Sequence, residues 1–169
     1  MLLDWPEIIL RLGVATIVGG AVGLNRDMHG KPVGVRTLGL VALATAVIML
    51  FAEASTSDAG RLSEAGSRVI QGILTGIGFL GAGVILHTEG QFKARGLTSA
   101  ACVWFTACVG TLCGAGQWRL VIVSVALVFL LLIFGGPIEK TIHGLTSSNE
   151  PELDIRKKNR ISKKNESID

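Results

Sequence analysis

The sequence predicts an all-α, polytopic integral membrane protein with about five transmembrane helices packed through faces of glycine and other small residues. Of its 169 residues, 17% are charged and 22 are glycine, whereas soluble domains average about 25% charged residues and about 7% glycine. Mean hydropathy is +0.54. The apolar residues form long unbroken runs, as a bilayer requires, instead of following the spacing of a soluble core.

Uncharged stretches between ionisable residues define the five spans. They contain 14, 16, 18, 23 and 19 residues, at positions 12–25, 37–52, 69–86, 96–118 and 120–138. A spanning helix needs about 17 to 25 mainly apolar residues. The second stretch reaches this length if Glu53 lies among the headgroups, and the first only if Arg11 is included, with its guanidinium snorkelling to the interface and Glu7 one turn earlier as a partner. The predicted spans are 8–24, 37–54, 69–87, 98–115 and 120–136.

Basic residues predict the orientation of these spans. Three lie on one side and twelve on the other, and Arg11 completes the 16. Because cytoplasmic segments carry the excess of Lys and Arg, the N-terminus is expected outside and the C-terminus in the cytoplasm. Trp5 and Trp118 then share the outer interface, where indole rings are enriched. Asp4 and Glu7 stand where a secretory signal carries positive charge, so no cleavable signal is expected.

Glycine pairs at four-residue spacing predict close helix contacts, because small residues let backbones approach within a bilayer. Such pairs occur at Gly19 and Gly23, Gly72 and Gly76, and Gly110 and Gly114. The densest run, 75–83, contains a G-x-G-x-x-G pattern, but it lies inside an apolar run and not between a strand and a helix, so nucleotide binding is not expected. The glycines expected to pack on the third and fourth spans are Gly72, Gly76, Gly78, Gly81, Gly83, Gly110 and Gly114.

Polar and small residues recur at helical spacing on the third and fourth spans, and both faces are expected to point into the bundle. They serve either helix packing, which the frequency of small-residue interfaces favours, or a lined pathway or pocket. The stripe on the third span is Arg68, Gln71, Thr75, Gly78 and Ala82, and the stripe on the fourth is Ser99, Cys102, Thr106, Gly110 and Cys113.

Four segments carry a family resemblance: Gly23-Leu-Asn-Arg-Asp27, Val33-Gly-Val-Arg-Thr-Leu-Gly-Leu-Val-Ala-Leu43, residues 68–85, and Arg95-Gly-Leu-Thr-Ser-Ala-Ala101. In order and spacing they resemble the MgtC/SapB family of bacterial inner-membrane proteins, over about residues 8–136. Two departures stand out. Asn25 occupies the position where many members have a glutamate before the arginine, and a short polar tail is expected in place of the soluble C-terminal domain of larger members.

The resemblance implies a non-enzymatic inner-membrane protein associated with growth in low magnesium and with virulence in some pathogens. Magnesium is held through carboxylates and retained waters, yet the third, fourth and fifth spans contain no Asp or Glu. A dedicated magnesium pore through one chain is therefore not expected, although an oligomer could gather loop carboxylates. No cofactor and no metal site are expected.

The functional candidates are polar residues near the ends or on the inner faces of spans. Arg26 and Arg36 flank the first inner loop, where positive charge also fits topology alone. Arg68 lies on the outer side and on the expected inward stripe, so we predict that it pairs with Glu53 of the second span. The full set is Asn25, Arg26, Arg36, Arg68, Gln71 and Thr75.

Cysteines and histidines supply no reaction chemistry. Cys102, Cys108 and Cys113 share the fourth span, where a straight helix keeps the first and last out of disulfide reach, so apolar packing is expected before metal ligation. The three histidines, His29, His87 and His143, lie in the first loop or at expected cytoplasmic ends. Because they form no nucleophile-base-orienter set, no enzymatic activity is expected.

A polar tail is predicted to follow the transmembrane domain of residues 1–143. The last helix is expected to stop at Gly135-Gly-Pro137, and residues 144–169 are expected to be a disordered cytoplasmic tail. Six basic residues lie between Arg156 and Lys164; they either contact anionic lipid or only reinforce orientation. No folded basic surface accompanies them, so no nucleic acid is expected as a partner.

Two functions stay open. One is an accessory or regulatory role through contact with another membrane protein, or through a homo-oligomer. The other is a small transporter or channel subunit whose third and fourth spans line a path. Small-residue stripes left unpacked by the monomer would favour the first, and a water-accessible cavity lined by Gln71, Thr75 and Thr106 would favour the second.

Overall fold

A computed structural model describes residues 4–54, 64–86 and 96–147, and these residues form five α-helices. Each is long and apolar enough to cross a membrane, so the predicted all-α fold with five spans is confirmed. The helices are α1 (Trp5–Met28), α2 (Val35–Ala54), α3 (Glu64–Leu86), α4 (Leu97–Gly114) and α5 (Trp118–Ser147).

Helices α2 and α4 form the centre of the bundle. Fifty-six per cent of the spanning residues of α4 and 44% of those of α2 are buried, against 22% in α1 and 11% in α3. Small side chains dominate this core. In lipid the hydrophobic effect does not drive helices together, so they associate through close van der Waals packing, which small residues permit. The shared core cluster consists of Ala15, Ala42, Ala46, Val109, Cys113 and Val121.

Four glycines lie where backbones approach most closely. A Cβ at Gly19 would lie 2.6 Å from the carbonyl oxygen of Leu38, and one at Gly23 would lie 2.6 Å from the Cα of Val35. On α4, a Cβ at Gly110 would collide with Thr45 and with the backbone of α2. At Gly114 it would lie 2.6 Å from the carbonyl oxygen of Ala46. Helix α2 therefore packs against glycines of two helices, α1 and α4.

The glycines of α3 have a different environment. In the described part of the chain, a Cβ added at Gly72, Gly76, Gly78 or Gly83 would meet no atom within 4 Å, and one at Gly81 would meet only the Cβ of Ala100, at 3.9 Å. The expected packing role of this run is therefore not seen in the described bundle. Helix α3 nevertheless packs against α4. Ile77 of α3 is buried.

The expected inward face of α3 is also reversed. All five members of the stripe that begins at Arg68 and ends at Ala82 are exposed in the described structure, whereas all five members of the stripe on α4 are buried. Periodicity identified each face correctly as a continuous stripe. It left open whether the face packs inside one chain or points outward, because a small-residue surface suits either position.

The chain divides into two compact units, Met1–Leu127 and Val128–Asp169. In the first, Val121 of α5 is 4% exposed and belongs to the core. In the second, α5 continues through Pro137 to Ser147, so the expected stop at residues 135–137 is wrong and residues 144–147 are helical. Spanning helices tolerate proline when its lost hydrogen bond is compensated locally. The remainder of the expected tail, including the basic cluster, lies outside the described residues.

Candidate functional site

Arg11 joins three helices at the end of the bundle where α1 begins and where α2 and α4 end. Its Nε donates to Oε1 of Glu7 at 2.7 Å, and its Nη1 donates both to Oε2 of Glu53 at 3.2 Å and to the carbonyl oxygen of Gly114 at 2.7 Å. The carbonyl belongs to the last residue of α4, where the helix dipole favours a cation. The predicted pair of Arg11 with Glu7 is confirmed.

The pairing predicted for Arg68 is wrong. Glu53 binds Arg11 instead, and Arg68 donates to Oε1 of Glu64 at 2.6 Å, with both side chains more than three-quarters exposed. Glu64 lies one turn earlier on the same helix, so its carboxylate is already within reach. The sequence predicts Arg11 only as a snorkelling residue paired with Glu7, because helical spacing carries no information on its contacts with α2 and α4.

Arg26 forms a second centre at the opposite end of the bundle. It lies in the last turn of α1, is 7% exposed, and donates from Nη2 to the Ser99 hydroxyl of α4 at 2.8 Å. Ser99 itself is 1% exposed. The guanidinium Nε is enclosed and has no hydrogen-bond partner. Among the described residues, no carboxylate lies within ion-pair distance of Arg26.

The neighbours of Arg26 have other partners. The exposed carboxylate of Asp27 accepts a hydrogen bond from the backbone N–H of Val35 at 2.9 Å, at the start of α2. The carbonyl of Asn25 is 2.7 Å from Nδ1 of His29, and Arg36 is exposed in the first turn of α2. Asn25 and Arg36 are thus close to Arg26 in the chain, but the structure does not join them to it by a hydrogen bond.

Asp27 acts as a remote cap for α2, and Asp27→Ala is expected to destabilise the protein by about 1 kcal/mol, the usual effect of losing a capping side chain. Tryptophan fluorescence during thermal unfolding in detergent measures the loss. Asp4→Ala is the matched control, because Asp4 occupies the N-cap of α1 without making a side-chain hydrogen bond. Equal stability of the two variants would contradict the capping role.

Gln71 and Thr75 lie on the outward side of α3 together with Gly72 and Gly76; we call these four residues the α3 face. Both polar side chains are exposed, and the hydroxyl of Thr75 donates to the carbonyl oxygen of Gln71 at 2.9 Å. Within the described ranges, no protein group bonds the side-chain amide of Gln71. Thr106 of α4 is 1% exposed, so these three polar residues do not line one cavity.

Carboxylates in the described ranges do not assemble into a cation site. No group of three or more His, Cys, Asp or Glu side chains there is arranged to hold a metal ion. Glu7 and Glu53 share Arg11, Glu64 binds Arg68, and Asp27 caps α2. Magnesium coordination needs carboxylates that are free to face the ion, and these are occupied by cations or by backbone.

Comparison with known proteins gives the same family as the sequence motifs. A family model described as the MgtC family matches residues 12–141. SrpB of Synechococcus elongatus is 38% identical over 136 residues, covering 76% of this chain and 75% of that protein. The putative magnesium transporter YhiD of Escherichia coli K12 is 37% identical over 129 residues, and MgtC of Salmonella typhi is 35% identical over 144 residues.

The match covers different shares of these relatives. The alignment spans 59% of the length of YhiD and 59% of the length of MgtC. No solved structure matches the chain. The family model covers most of the chain, including α2, α3 and α4 in full and most of α1, so Arg26 and the α3 face lie within it, whereas Glu7 and Arg11 lie just before its first residue. The chain therefore belongs to the MgtC family.

Proposed function

We propose that this protein is a non-enzymatic accessory or regulatory protein of the bacterial inner membrane, linked to growth in low magnesium, and that it acts through contact between the α3 face and a helix of another membrane protein. The link to magnesium comes from the family and from YhiD of Escherichia coli, which is described as a putative magnesium transporter. The contact rests on one observation. In the described structure, three of the four glycines in the densest run, 75–83, meet no neighbour within 4 Å, and neither does Gly72 just before it.

The chemistry of the α3 face favours a protein partner over lipid. An amide exposed to hydrocarbon loses its hydrogen bonds to water, which makes the Gln71 side chain costly on a lipid-facing surface. Gly72 and Gly76 beside it permit a second backbone to approach closely, as in small-residue interfaces between spanning helices. A partner helix with a polar side chain opposite Gln71 satisfies the amide and fills the shallow surface above the glycines.

Gly76→Leu is expected to abolish the support of growth in low magnesium, because the added side chain keeps a partner backbone from the α3 face. The substitution spares the fold of the chain, since a Cβ at Gly76 meets nothing within 4 Å. Growth of a deletion strain carrying each variant gives the result. Gly13→Leu of α1 is the matched control, because its Cβ also meets nothing within 4 Å.

Immunoblots of membrane fractions establish that both variants accumulate equally. Normal growth with Gly76→Leu in low magnesium would contradict a contact through the α3 face. If the strain with Gly13→Leu grows like the wild type, a general effect of adding a leucine side chain to a spanning helix is excluded as the cause of the growth defect.

The alternative of a small transporter has a separate test. Liposomes containing the purified chain and a trapped magnesium-sensitive dye are expected to show no more flux than empty liposomes. The separation of the exposed Gln71 and Thr75 from the buried Thr106 supports this expectation. Specific flux would overturn the accessory role, whatever the outcome of the Gly76→Leu experiment.

A further inference from the structure

Arg26 takes no part in the proposed contact at the α3 face. Among the described residues, its buried guanidinium has no carboxylate partner. A guanidinium has five N–H donors and remains charged at any physiological pH. Within the described residues, Arg26 has one side-chain acceptor, the neutral hydroxyl of Ser99, and Nε is enclosed without a partner. Burial of a charge without a counter-charge is strongly unfavourable, so this arrangement calls for an anion.

The surrounding helix ends do not supply that negative charge. Arg26 lies in the last turn of α1, whose carbonyl end contributes about half a unit of negative charge. Ser99 lies in the first turn of α4, whose N-terminal end contributes about half a unit of positive charge. These two contributions offset one another, and the full unit of the guanidinium remains. The nearest acidic residue along the chain, Asp27, is exposed and bound to the backbone of α2.

Among the described residues, no N-cap side chain satisfies the first backbone donors of α4. The first N–H groups of a helix have no partner within that helix, and α4 begins without a side-chain capping hydrogen bond. Residue 96 is a glycine with φ of +90°, and a Cβ there would lie 2.9 Å from the carbonyl oxygen of Val84. A capping side chain therefore does not fit at this position. Leu97 and Thr98 in the first turn of α4 are exposed.

We propose that Arg26 and the first turn of α4 form a binding site for a phosphate group, either of an anionic lipid or of free inorganic phosphate. Helix N-termini bind such anions through their backbone N–H groups and their dipole, and arginine adds planar, charge-assisted hydrogen bonds to phosphate oxygens. A bound phosphate supplies the acceptor and the negative charge that the buried guanidinium lacks among the described residues.

The position of the site in the bundle suits both phosphate sources. The last turn of α1, the first residue of α2 and the first turn of α4 meet here, as shown by the approach of Gly23 to Val35 and by the bond from Arg26 to Ser99. The ends of spanning helices lie at the level of the headgroups. A lipid phosphate reaches this level from the bilayer, and inorganic phosphate reaches it from water.

Thermal unfolding of the purified full chain in detergent, followed by tryptophan fluorescence, tests the site. One arm compares inorganic phosphate with chloride at equal ionic strength. The other compares micelles containing phosphatidylglycerol with micelles containing phosphatidylcholine. The wild type is expected to unfold at a higher temperature in the presence of phosphate, of phosphatidylglycerol, or of both, and the responding arm identifies the source. No difference in either arm would overturn the proposal.

Arg26→Gln is expected to lose this stabilisation, and Arg36→Gln is the matched control. Arg36 is exposed near the same end of the bundle, in the first turn of α2, so its substitution removes one positive charge and leaves the site intact. A stabilisation that falls equally in both variants would show general surface attraction and would overturn the proposal.

Arg26→Lys provides a further comparison that does not depend on Arg26→Gln folding. Lysine keeps the charge but lacks the planar fork of donors. The concentration of the responding anion that gives half of the maximal stabilisation is expected to rise about tenfold, equivalent to the loss of one charge-assisted hydrogen bond. An unchanged concentration would contradict the role of Arg26. Growth of the Gly76→Leu strain bears on the α3 face alone, so the two proposals fail separately.

Discussion

Gly110→Ala is expected to lower the free energy of unfolding by about 3 kcal/mol, near the upper end of the usual cost of overpacking. A Cβ at this position collides with the Thr45 side chain and with the carbonyl oxygen of Ala42, and it lies 2.8 Å from the Cα of Ala42. Two of these neighbours are backbone atoms of α2. Relief therefore requires the central helices α2 and α4 to move apart, since no rotamer change clears the collision with Ala42.

Gly72→Ala is the matched control for this effect. It introduces the same methyl group at a spanning-helix glycine whose Cβ meets nothing within 4 Å. Alanine exceeds glycine in helix propensity by about 1 kcal/mol, so Gly72→Ala is expected to leave stability unchanged or slightly improved. Unfolding in mixed detergent micelles, monitored by fluorescence, measures both variants. Equal stability of the two would show that the α2–α4 contact tolerates expansion.

The contrast between these glycines marks the limit of what sequence patterns predict in a membrane. Length and apolarity located five spans, because a bilayer imposes both requirements on every spanning helix. The spacing of Gly110 and Gly114 on α4 and that of Gly72 and Gly76 on α3 are identical. The structure nevertheless places the first pair against α2 and leaves the second pair open. The spacing of small residues therefore predicts that two helix backbones approach closely, but it does not predict which helix is the partner.

Ion pairing shows a similar limit. The pairs of Glu7 with Arg11 and of Glu64 with Arg68 both follow from four-residue spacing on one helix, and both are present. Contacts between helices were not predictable from spacing. They include the bond from Arg11 to Glu53 and the bond from Arg26 to Ser99, since these depend on how the helices rotate when they pack. For the same reason, the sequence did not show that Arg26 is buried, because a positive charge at that position also fits topology alone.

Arg11→Gln is expected to destabilise the bundle by about 2 kcal/mol. Removal of one partner from a buried ion pair costs about 3 to 5 kcal/mol, and partial exposure reduces this value because water replaces part of the lost interaction. The side chain of Arg11 is 14% exposed, and those of its two glutamates are 36% and 35% exposed. The carbonyl oxygen of Gly114 also loses a charged donor at 2.7 Å.

Arg68→Gln is the control for Arg11→Gln, because each arginine follows a glutamate by four residues on a spanning helix. The Arg68 pair is 76% and 83% exposed, so its loss is expected to cost at most about 0.5 kcal/mol.

A double-mutant cycle between Arg11→Gln and Glu53→Gln then isolates the contact between α1 and α2, with an expected coupling of about 1 kcal/mol. The same cycle between Arg68→Gln and Glu53→Gln is expected to give none. Coupling of Glu53 to Arg68 instead of Arg11 would reverse the assignment, and it would mean that the end of the bundle where α1 begins is joined through α3. The assignment to Arg11 is compatible with the proposed contact through the α3 face, because Arg68 then pairs within its own helix and not with α2.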